Sequence, residues 1–248
     1  MIKDGIGEIS EEITSFLMIG QSNMAGRGDI GDVEPIDNPL CHMYRMGGWE
    51  SMSEPINPDR AIFQGDYRSG INLCASFADE YAKQYRQKIG LIPCADGGTR
   101  IAQWMPGEIL YDHAIMMTQL AGRVSRLGGI LWHQGESDCN EVDIALYKER
   151  FLTMVSAMRK TLGAEELPFI FGELSEEIAP RWKAGDYPKQ MNNLFRELEK
   201  EVPNCKLVSV KGLELKPDGI HFNAKSLREL GIRYFQAYKE LQTEEKIR

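Results

Sequence analysis

A serine follows the first apolar run of the sequence, where it could act as a nucleophile. Residues 15–28 read SFLMIGQSNMAGRG, and Ser22 stands between the apolar residues and a run of small ones. The segment SNMA can open a helical turn, whose backbone N–H groups favour negative charge. On these residues alone two interpretations stay open: Ser22 is a nucleophile, or it only caps a helix.

A possible base for that serine lies near the C-terminal end, in KPDGIHFN. Asp218 and His221 are three residues apart, so the carboxylate could hold one imidazole nitrogen while the other faces Ser22. Serine is a weak nucleophile until a base takes its proton, and a third group that fixes the tautomer of the base helps. An unperturbed histidine has a pKa near 6.5, which suits this role. The alternative is an aspartate that caps the loop beside a surface histidine.

Two further segments contain groups that could stabilise an oxyanion. Gly97 and Gly98 follow the apolar run at 89–95 and leave their backbone N–H groups unshielded by side chains. Gln134, in WHQGESD, could donate its side-chain N–H, and Glu136 could order neighbouring groups or bind substrate hydroxyls. The alternatives are a tight turn for the glycine pair and ordinary polar residues at a strand end for the second segment.

These candidates all follow short apolar runs that have the character of buried strands. The runs are near-continuously apolar, which is typical of parallel strands covered on both faces, and they occupy 15–20, 89–95, 128–134, 167–174 and 205–210. Stretches with helical spacing separate them, at 72–88, 107–127, 142–163, 187–202 and 224–242. The alternation predicts a three-layer α/β/α sandwich with a five-stranded parallel sheet. Ligands of such sheets lie beyond the carboxyl ends of the strands, so the four motifs are expected to meet there.

One segment, residues 27–69, interrupts this alternation. It holds four of the eleven prolines and has no strong periodicity. Long ordered loops in compact domains are usually functional, so we expect this excursion to form one rim of the site. A surface insertion without function is the alternative. We predict that residues 1–248 form a single domain.

Composition disfavours several classes of function. The net charge is −8 and no Lys/Arg-rich run is present, which disfavours binding to nucleic acid or to an anionic membrane surface. No run of about 18 apolar residues occurs, and the first residues lack the apolar core of a signal peptide. The five cysteines are widely spaced without a CxxC, which predicts neither a disulfide framework nor a zinc knuckle but a reduced, cytoplasmic chain. The sequence contains no HxxxH or HExxH motif, so a catalytic metal site is not expected.

Taken together, the motifs resemble one family of hydrolases. Ser, Gly, an amide donor and Asp-x-x-His occur in the order of the SGNH (GDSL-like) hydrolases. GQSNMAGRG, GGTRIAQW, WHQGESD and DGIHFN are similar to carbohydrate esterases of the sialate O-acetylesterase and acetylxylan esterase type. The resemblance extends from about residue 15 to residue 240. It implies a flavodoxin-like sheet of order 2-1-3-4-5 and deacetylation of O-acetylated sugars without a cofactor.

The resemblance also implies roles for individual residues. Ser22 becomes the nucleophile, His221 the general base and acid, and Asp218 the orienting carboxylate. The Ser22 N–H, a glycine of the 97–98 pair and the amide of Gln134 become the oxyanion hole. Gly97 is preferred to Gly98 because it stands two residues before a threonine, as in related sequences. Gln134 replaces the asparagine of the wider superfamily, as is usual in the carbohydrate-esterase branch.

Substrate contacts are expected from polar and aromatic side chains around the cleft. The predicted set is Asn23, Arg27, Gly70, Arg100, Trp104 and Glu136, with Trp49 as a further aromatic candidate. For Trp104 the alternative is packing against the core. The expected partner is a small-molecule or oligosaccharide acetyl ester, and the oligomeric state is left open. Two other functions fit the same motifs: a thioesterase or short-chain lipid esterase using the same triad, and a non-catalytic carbohydrate-binding relative.

Overall fold

A seven-stranded, mostly parallel sheet forms the centre of the molecule in a computed structural model that describes residues 13–58 and 68–245. The strands are β1 (Ile13–Gly20), β2 (Cys41–Arg45), β3 (Gly48–Ser51), β4 (Lys88–Pro93), β5 (Arg126–His133), β6 (Phe169–Gly172) and β7 (Cys205–Val208). Their order across the sheet is β3-β2-β4-β1-β5-β6-β7. All neighbouring strands are parallel except β2 and β3, which form an antiparallel hairpin.

The five predicted strands correspond to β1, β4, β5, β6 and β7, and their expected order 2-1-3-4-5 is confirmed. The predicted number of strands was wrong, because the excursion at 27–69 contributes β2 and β3 and brings the total to seven. This hairpin turns through Met46 and Gly47, both at positive φ, and extends the sheet at its edge. Its strands are short and only partly buried, so they lack the continuous apolar run that indicated the others. Residues 59–67 of the excursion lie outside the described residues.

Six α-helices flank the sheet or its edge in the described ranges. They are α1 (Ser22–Ala25), α2 (Leu73–Tyr85), α3 (Ile109–Ala121), α4 (Glu141–Thr161), α5 (Tyr187–Glu201) and α6 (Ala224–Glu245). The five longer helices match the stretches predicted from helical spacing. Asparagine side chains begin two of them: Asn72 accepts from two backbone N–H groups of α2, and Asn140 does the same for α4.

The core has two layers, one on each face of the sheet. Phe16 and Met18 of β1 pack with α2 and α6, whereas Leu17 and Ile19 pack with α3, α4 and α5. Every residue of β1 is buried because the strand has neighbours on both edges and helices over both faces. This confirms the three-layer α/β/α sandwich and accounts for the continuous apolar run. Within residues 13–58 and 68–245, no helix is both long and apolar enough to cross a bilayer.

Candidate active site

Ser22 lies at the carboxyl end of the central strand, on the first turn of a short helix. Gly20 ends β1 with a φ of 132°, a conformation that L side chains rarely adopt, and Gln21 donates its N–H to the His133 carbonyl at 2.9 Å. Ser22 is then the first residue of α1, and Gln21 takes the capping position. The Gln21 side chain makes no capping hydrogen bond to α1, and Ser22 is 6% exposed. The sharp exit from β1 therefore fixes the serine at the edge where ligands of parallel sheets bind.

Asp218 and His221 form a hydrogen-bonded pair on the loop before α6. His221 Nδ1 lies 2.9 Å from Asp218 Oδ2, and the other carboxylate oxygen accepts the N–H groups of Ile220 and His221 at 3.0 Å each. A carboxylate only accepts hydrogen bonds, so it assigns the ring proton to Nδ1 and leaves Nε2 as the basic nitrogen. The spacing of three residues thus produces the carboxylate–imidazole pair that a serine nucleophile needs.

Asn23 connects this pair to the residue beside it in sequence, Ser22. Its Nδ2 donates to the Ile220 carbonyl at 3.2 Å, and its Oδ1 accepts the Phe222 N–H at 3.1 Å. Both partners are direct neighbours of His221, so one amide holds the backbone on either side of the imidazole. In the part of the chain that the structure describes, no hydrogen bond joins Ser22 Oγ to His221. Such contacts are often long in unliganded sites, so the nucleophile remains a prediction.

Glu136 stands behind Asn23 as a buried carboxylate. Its Oε1 accepts from Asn23 Nδ2 at 2.5 Å, and Oε2 has no hydrogen-bond partner among the described residues. Burial raises the pKa of Glu136, and the hydrogen bond from Asn23 opposes that rise. Asn23 and Glu136 are 1% and 9% exposed, so in this conformation both serve the internal structure of the site. Neither offers a side chain to a substrate, which differs from their predicted substrate contacts; Glu136 instead orders Asn23, the other role expected for it.

Gly97, the first residue of the glycine pair, lies beside Ser22. A Cβ placed on Gly97 would stand 3.7 Å from Ser22 Cβ and 2.5 Å from Arg27 Nη2. Gly98 is exposed and turns the chain with a φ of 74°. This geometry supports Gly97 as the oxyanion-hole glycine, because its backbone lies against both the nucleophile candidate and a cationic side chain.

Gln134 does not present its amide to the cleft in this structure, which is a correction to its predicted geometry. The residue is fully buried, and Nε2 donates to Asp138 Oδ2 at 2.5 Å and to the Thr99 carbonyl at 2.9 Å. Its Oε1 accepts from the Tyr147 hydroxyl at 3.0 Å. A carboxylate four residues along the chain is a stronger acceptor than a neutral oxygen, and it takes the N–H expected to face an oxyanion.

Asp138 organises this buried network. It accepts from Gln134 and from the Ile101 N–H at 3.0 Å, which joins the third motif to the loop after the glycine pair. Burial raises the pKa of Asp138 to about 6, and these two hydrogen bonds oppose the rise. Gln134 and Asp138 therefore hold the glycine loop in place from behind. Motif reasoning missed Asp138, although its position at the end of HQGESD was visible.

Arg27, one of the predicted substrate contacts, lies next to Gly97. It is half-buried against Gly97, and Nη1 donates to the Gly26 carbonyl at 2.8 Å. Lys216, just before the Asp218 loop, donates to the Arg27 carbonyl at 2.8 Å and to Asp29 Oδ1 at 2.8 Å. The start of the excursion is thereby tied to the loop that contains the imidazole.

Gly70 and Arg100 occupy positions that differ from their predicted contacts with substrate. Gly70 is buried, and any side chain there would overlap the Gly28 carbonyl, so its function is close packing of the two ends of the excursion. Arg100 has a side chain 58% exposed whose Nη1 lies 3.5 Å from Asp143 Oδ2, near the start of α4. Gly70 therefore has a packing role, and the Arg100 side chain is directed to helix α4.

The two tryptophans proposed for sugar contacts belong to the interior. Trp104 is fully buried, donates its indole N–H to Thr99 Oγ1 at 3.1 Å and packs edge-to-face on Trp132. Trp49 is half-buried on β3, where its ring covers Gly90. The structure places the Trp104 ring in the core, where it supports the glycine loop, and not where a sugar could contact it; core packing was the alternative expected for this residue.

Electrostatic surroundings keep His221 neutral near physiological pH. Burial lowers its pKa below 6.5; Asp218 opposes this, and the positive charges of Arg27 and Lys216 lower the pKa further. Burial alone would raise the pKa of Asp218, but the hydrogen bonds from His221 and Ile220 outweigh it and lower that pKa. The resulting pair is a charged carboxylate holding a neutral imidazole, the resting state of a general base.

Sequence reasoning missed Trp182, which contacts the same loop. Its indole N–H donates to the Asp218 carbonyl at 2.8 Å, and Arg181 Nη2 donates to the Pro217 carbonyl at 2.7 Å. The residue occurs in a segment without periodicity or motif, so no signal in the sequence pointed to it. Across 13–58 and 68–245, no group of three or more His, Cys, Asp or Glu side chains has an arrangement that could hold a metal ion.

Comparison with known proteins identifies the family of the chain. The model of a family described as carbohydrate esterase, sialic acid-specific acetylesterase, matches residues 12–240. The chain belongs to this family. A probable carbohydrate esterase of Arabidopsis thaliana is 29% identical over 259 residues, covering 94% of this chain and 95% of that relative. The expected family is therefore confirmed.

Solved structures share the fold over nearly the whole chain. The X-ray structure of an Arabidopsis thaliana protein superposes with a TM-score of 0.80 at 26% identity, covering 93% of this chain and 98% of the other. NanS superposes with a TM-score of 0.77 at 16% identity, covering 96% and 100% of the two chains. The second likeness concerns the fold alone.

Proposed function

We propose that this carbohydrate esterase uses Ser22, His221 and Asp218 to remove O-acetyl groups from small acetylated sugars through an acetyl-enzyme. The observation that carries the proposal is that Asn23, the residue after Ser22, holds the loop of the Asp218–His221 pair with its side-chain amide. Membership of a carbohydrate esterase family supports the reaction class. The two lines of support are independent, since the first is local geometry and the second is sequence.

Acylation begins when Ser22 Oγ attacks the acetyl carbonyl carbon. The hydroxyl proton passes to Nε2 of His221, and Asp218 stabilises the imidazolium that forms. The carbonyl π electrons move to the oxygen, which becomes an oxyanion in a tetrahedral intermediate. Collapse of that intermediate breaks the bond to the sugar oxygen, which takes the proton from His221 and leaves as an alcohol.

The oxyanion is stabilised by the backbone N–H groups of Ser22 and Gly97. Fixed backbone dipoles at the start of a helical turn and beside a glycine require little reorganisation during the reaction. Gln134 contributes indirectly, since its N–H groups already bind Asp138 and Thr99 and so fix the glycine loop. Arg27 adds positive charge next to the same glycine.

Deacylation repeats the steps with water as the nucleophile. His221 takes a proton from water, and the hydroxide attacks the acetyl carbon. The bond to Ser22 Oγ then breaks, Ser22 recovers its proton from His221, and acetic acid leaves and ionises to acetate in solution. All protons and electron pairs are accounted for by serine, imidazole, water and substrate. Acetylated xylan fragments and O-acetylated sialic acids are both candidate substrates of this chemistry.

The test is acetate release from a panel of O-acetylated sugars, with p-nitrophenyl acetate as a substrate that lacks a sugar. Ser22→Ala is expected to lower turnover at least about 1000-fold on every substrate, because removal of a nucleophile costs more than one oxyanion donor. Ser175, a buried serine that follows strand β6, offers a matched control, and Ser175→Ala should stay near the wild-type rate. A fluorophosphonate should label the wild type and the control at one serine. Wild-type turnover by the Ser22→Ala variant would end the proposal.

A further inference from the structure

The four tryptophans of the chain differ sharply in exposure. Trp104 and Trp132 are fully buried or nearly so, and Trp49 is half-buried, but Trp182 is 49% exposed. The large exposed apolar residues of the described ranges are otherwise aliphatic or methionine. Exposing half of a large aromatic ring forgoes favourable burial, so a ring fixed in that state requires an explanation.

Trp182 is held against the loop that contains the catalytic candidates. Its indole N–H donates to the carbonyl of Asp218, the residue whose carboxylate orients His221. The same segment is attached at two more points, since the Ala179 N–H donates to the Gly219 carbonyl at 2.8 Å and Arg181 donates to Pro217. Three hydrogen bonds over four residues fix the ring by its N–H edge at the rim of the site.

A ring held in this way suits one class of ligand. A pyranose presents a patch of C–H groups on one face and its hydroxyls around the edge. A flat indole can cover the C–H face, while the hydroxyls stay available to polar groups and water. We propose that the exposed face of Trp182 is a binding platform for the sugar ring of the substrate. The platform rests on the proposed function, in which an acetyl-sugar occupies the site.

If Trp182 binds the sugar ring, its removal should affect substrates with and without a sugar differently. A substrate with a sugar ring should lose affinity when the indole is removed, whereas p-nitrophenyl acetate should not. A residue that only stabilised the Asp218 loop would affect both substrates through His221. The comparison therefore separates a platform from a positioning role.

The experiment measures kcat and KM of the wild type, Trp182→Ala and Trp182→Phe on partially acetylated xylo-oligosaccharide, O-acetylated N-acetylneuraminic acid and p-nitrophenyl acetate. Trp182→Ala should raise KM for at least one of the sugar esters about tenfold, near the upper range for one aromatic contact. Trp182→Phe keeps a ring without the N–H and should give an intermediate KM. Both variants should lose clearly less kcat/KM on p-nitrophenyl acetate than on that sugar ester, because p-nitrophenyl acetate has no sugar ring to contact the indole. Leu120→Ala, an exposed residue at the far end of α3, is the control for loss of apolar surface.

A binding measurement keeps this proposal separate from the proposed function. Calorimetric titration of the deacetylated sugars into wild type and Trp182→Ala should show weaker binding to the variant. If sugars bind through Trp182 but no sugar ester is hydrolysed, the proposed function fails and the platform stands. Equal binding to both proteins, or an equal loss of kcat/KM on all three esters, overturns the platform.

Discussion

At the scale of single residues, the site depends on a buried amide as much as on charges. The Asn23 side chain donates to the Ile220 carbonyl and to the Glu136 carboxylate, and it accepts the Phe222 N–H. Side chains engaged on both ends have little freedom to rotate, so His221 is held relative to the turn that contains Ser22. Positioning of this kind contributes to the rate without contact with the substrate.

Asn23→Ala is expected to lower kcat on p-nitrophenyl acetate about 10- to 100-fold with little change in KM, because small misplacements of a catalytic group have effects of this size. Steady-state kinetics checks this, together with the rate of fluorophosphonate labelling, which should fall in parallel. Glu136→Gln keeps an oxygen acceptor for Asn23 and should lose much less.

The matched control for this prediction is Asn192, another buried asparagine that bonds to both the N–H and the carbonyl of one residue, Leu174. Asn192→Ala should lower stability but leave kcat of the folded protein near the wild-type value. A similar fall in kcat for both variants would show that Asn23 acts through general stability and has no positioning role.

A second prediction at this scale concerns pH. Activity requires neutral His221, whose pKa is lowered by burial and by Arg27, so the acid limb of kcat/KM should have its midpoint below pH 6.5. Arg27→Gln removes a positive charge that disfavours the imidazolium, which raises the pKa and moves the acid limb to higher pH. A pH profile of kcat/KM on p-nitrophenyl acetate measures the shift.

Arg27→Lys keeps the charge and is the control, with an acid limb close to that of the wild type. If Arg27→Gln and Arg27→Lys move the limb equally, the side chain acts by packing and its charge has no part. The prediction is restricted to the acid limb, because only the protonation of His221 is invoked.

Sequence predicted the single residues unevenly, for physical reasons. The Asp218–His221 pair followed from a spacing of three, because a short loop brings the two side chains together whatever the remainder of the fold. The direction of Gln134 depended on Asp138 and on Thr99 from another loop, and that competition exists only in the folded chain. Trp182 contacts the carbonyl of a residue 36 positions away in the sequence, so no local sequence pattern could indicate its place in the structure.

At the scale of elements, burial on both faces made the central strands predictable. β1 is apolar throughout because helices cover both of its faces, whereas the hairpin of β2 and β3 is a partly exposed edge. Helices α2 and α6 contact closely on one face, where Ser76 Oγ donates to the Arg228 carbonyl at 2.7 Å. This contact depends on Gly231 of α6, whose importance helical periodicity alone did not indicate.

Gly231→Ala is expected to destabilise the protein by about 1–3 kcal/mol, because an added methyl group would overlap the Leu73 carbonyl and the Ser76 hydroxyl. Urea unfolding followed by circular dichroism measures the change. Gly48→Ala, on β3, is the control: its Cβ would meet no atom within 4 Å and its φ is not positive, so its unfolding free energy should change by less than about 0.5 kcal/mol. Equal stability of the two variants would show that α2 and α6 can separate without cost.

At the scale of the whole molecule, the fold limits where the chemistry occurs but not which ester is cleaved. The carboxyl ends of β1, β4 and β5 and the loop before α6 bring the motifs to one edge of the sheet. The α/β/α sandwich supports many hydrolytic activities, so substrate choice must come from the side chains around Ser22. Among these, we expect Arg27 to contact the acyl group, since its guanidinium lies against Gly97 beside the nucleophile candidate.

This position of Arg27 predicts a preference for short acyl groups. A long acyl chain that entered beside Ser22 and Gly97 would contact a guanidinium, whose desolvation is costly and offsets the gain from burying methylene groups. The value of kcat/KM for p-nitrophenyl acetate should therefore exceed that for the octanoate at least about tenfold, or about 1.4 kcal/mol in the transition state. Arg27→Met replaces the charge with an apolar chain of similar length and should reduce this ratio, mainly by faster cleavage of the octanoate. A wild-type enzyme that cleaved both esters equally would show that the acyl chain leaves the site by a path that avoids Arg27.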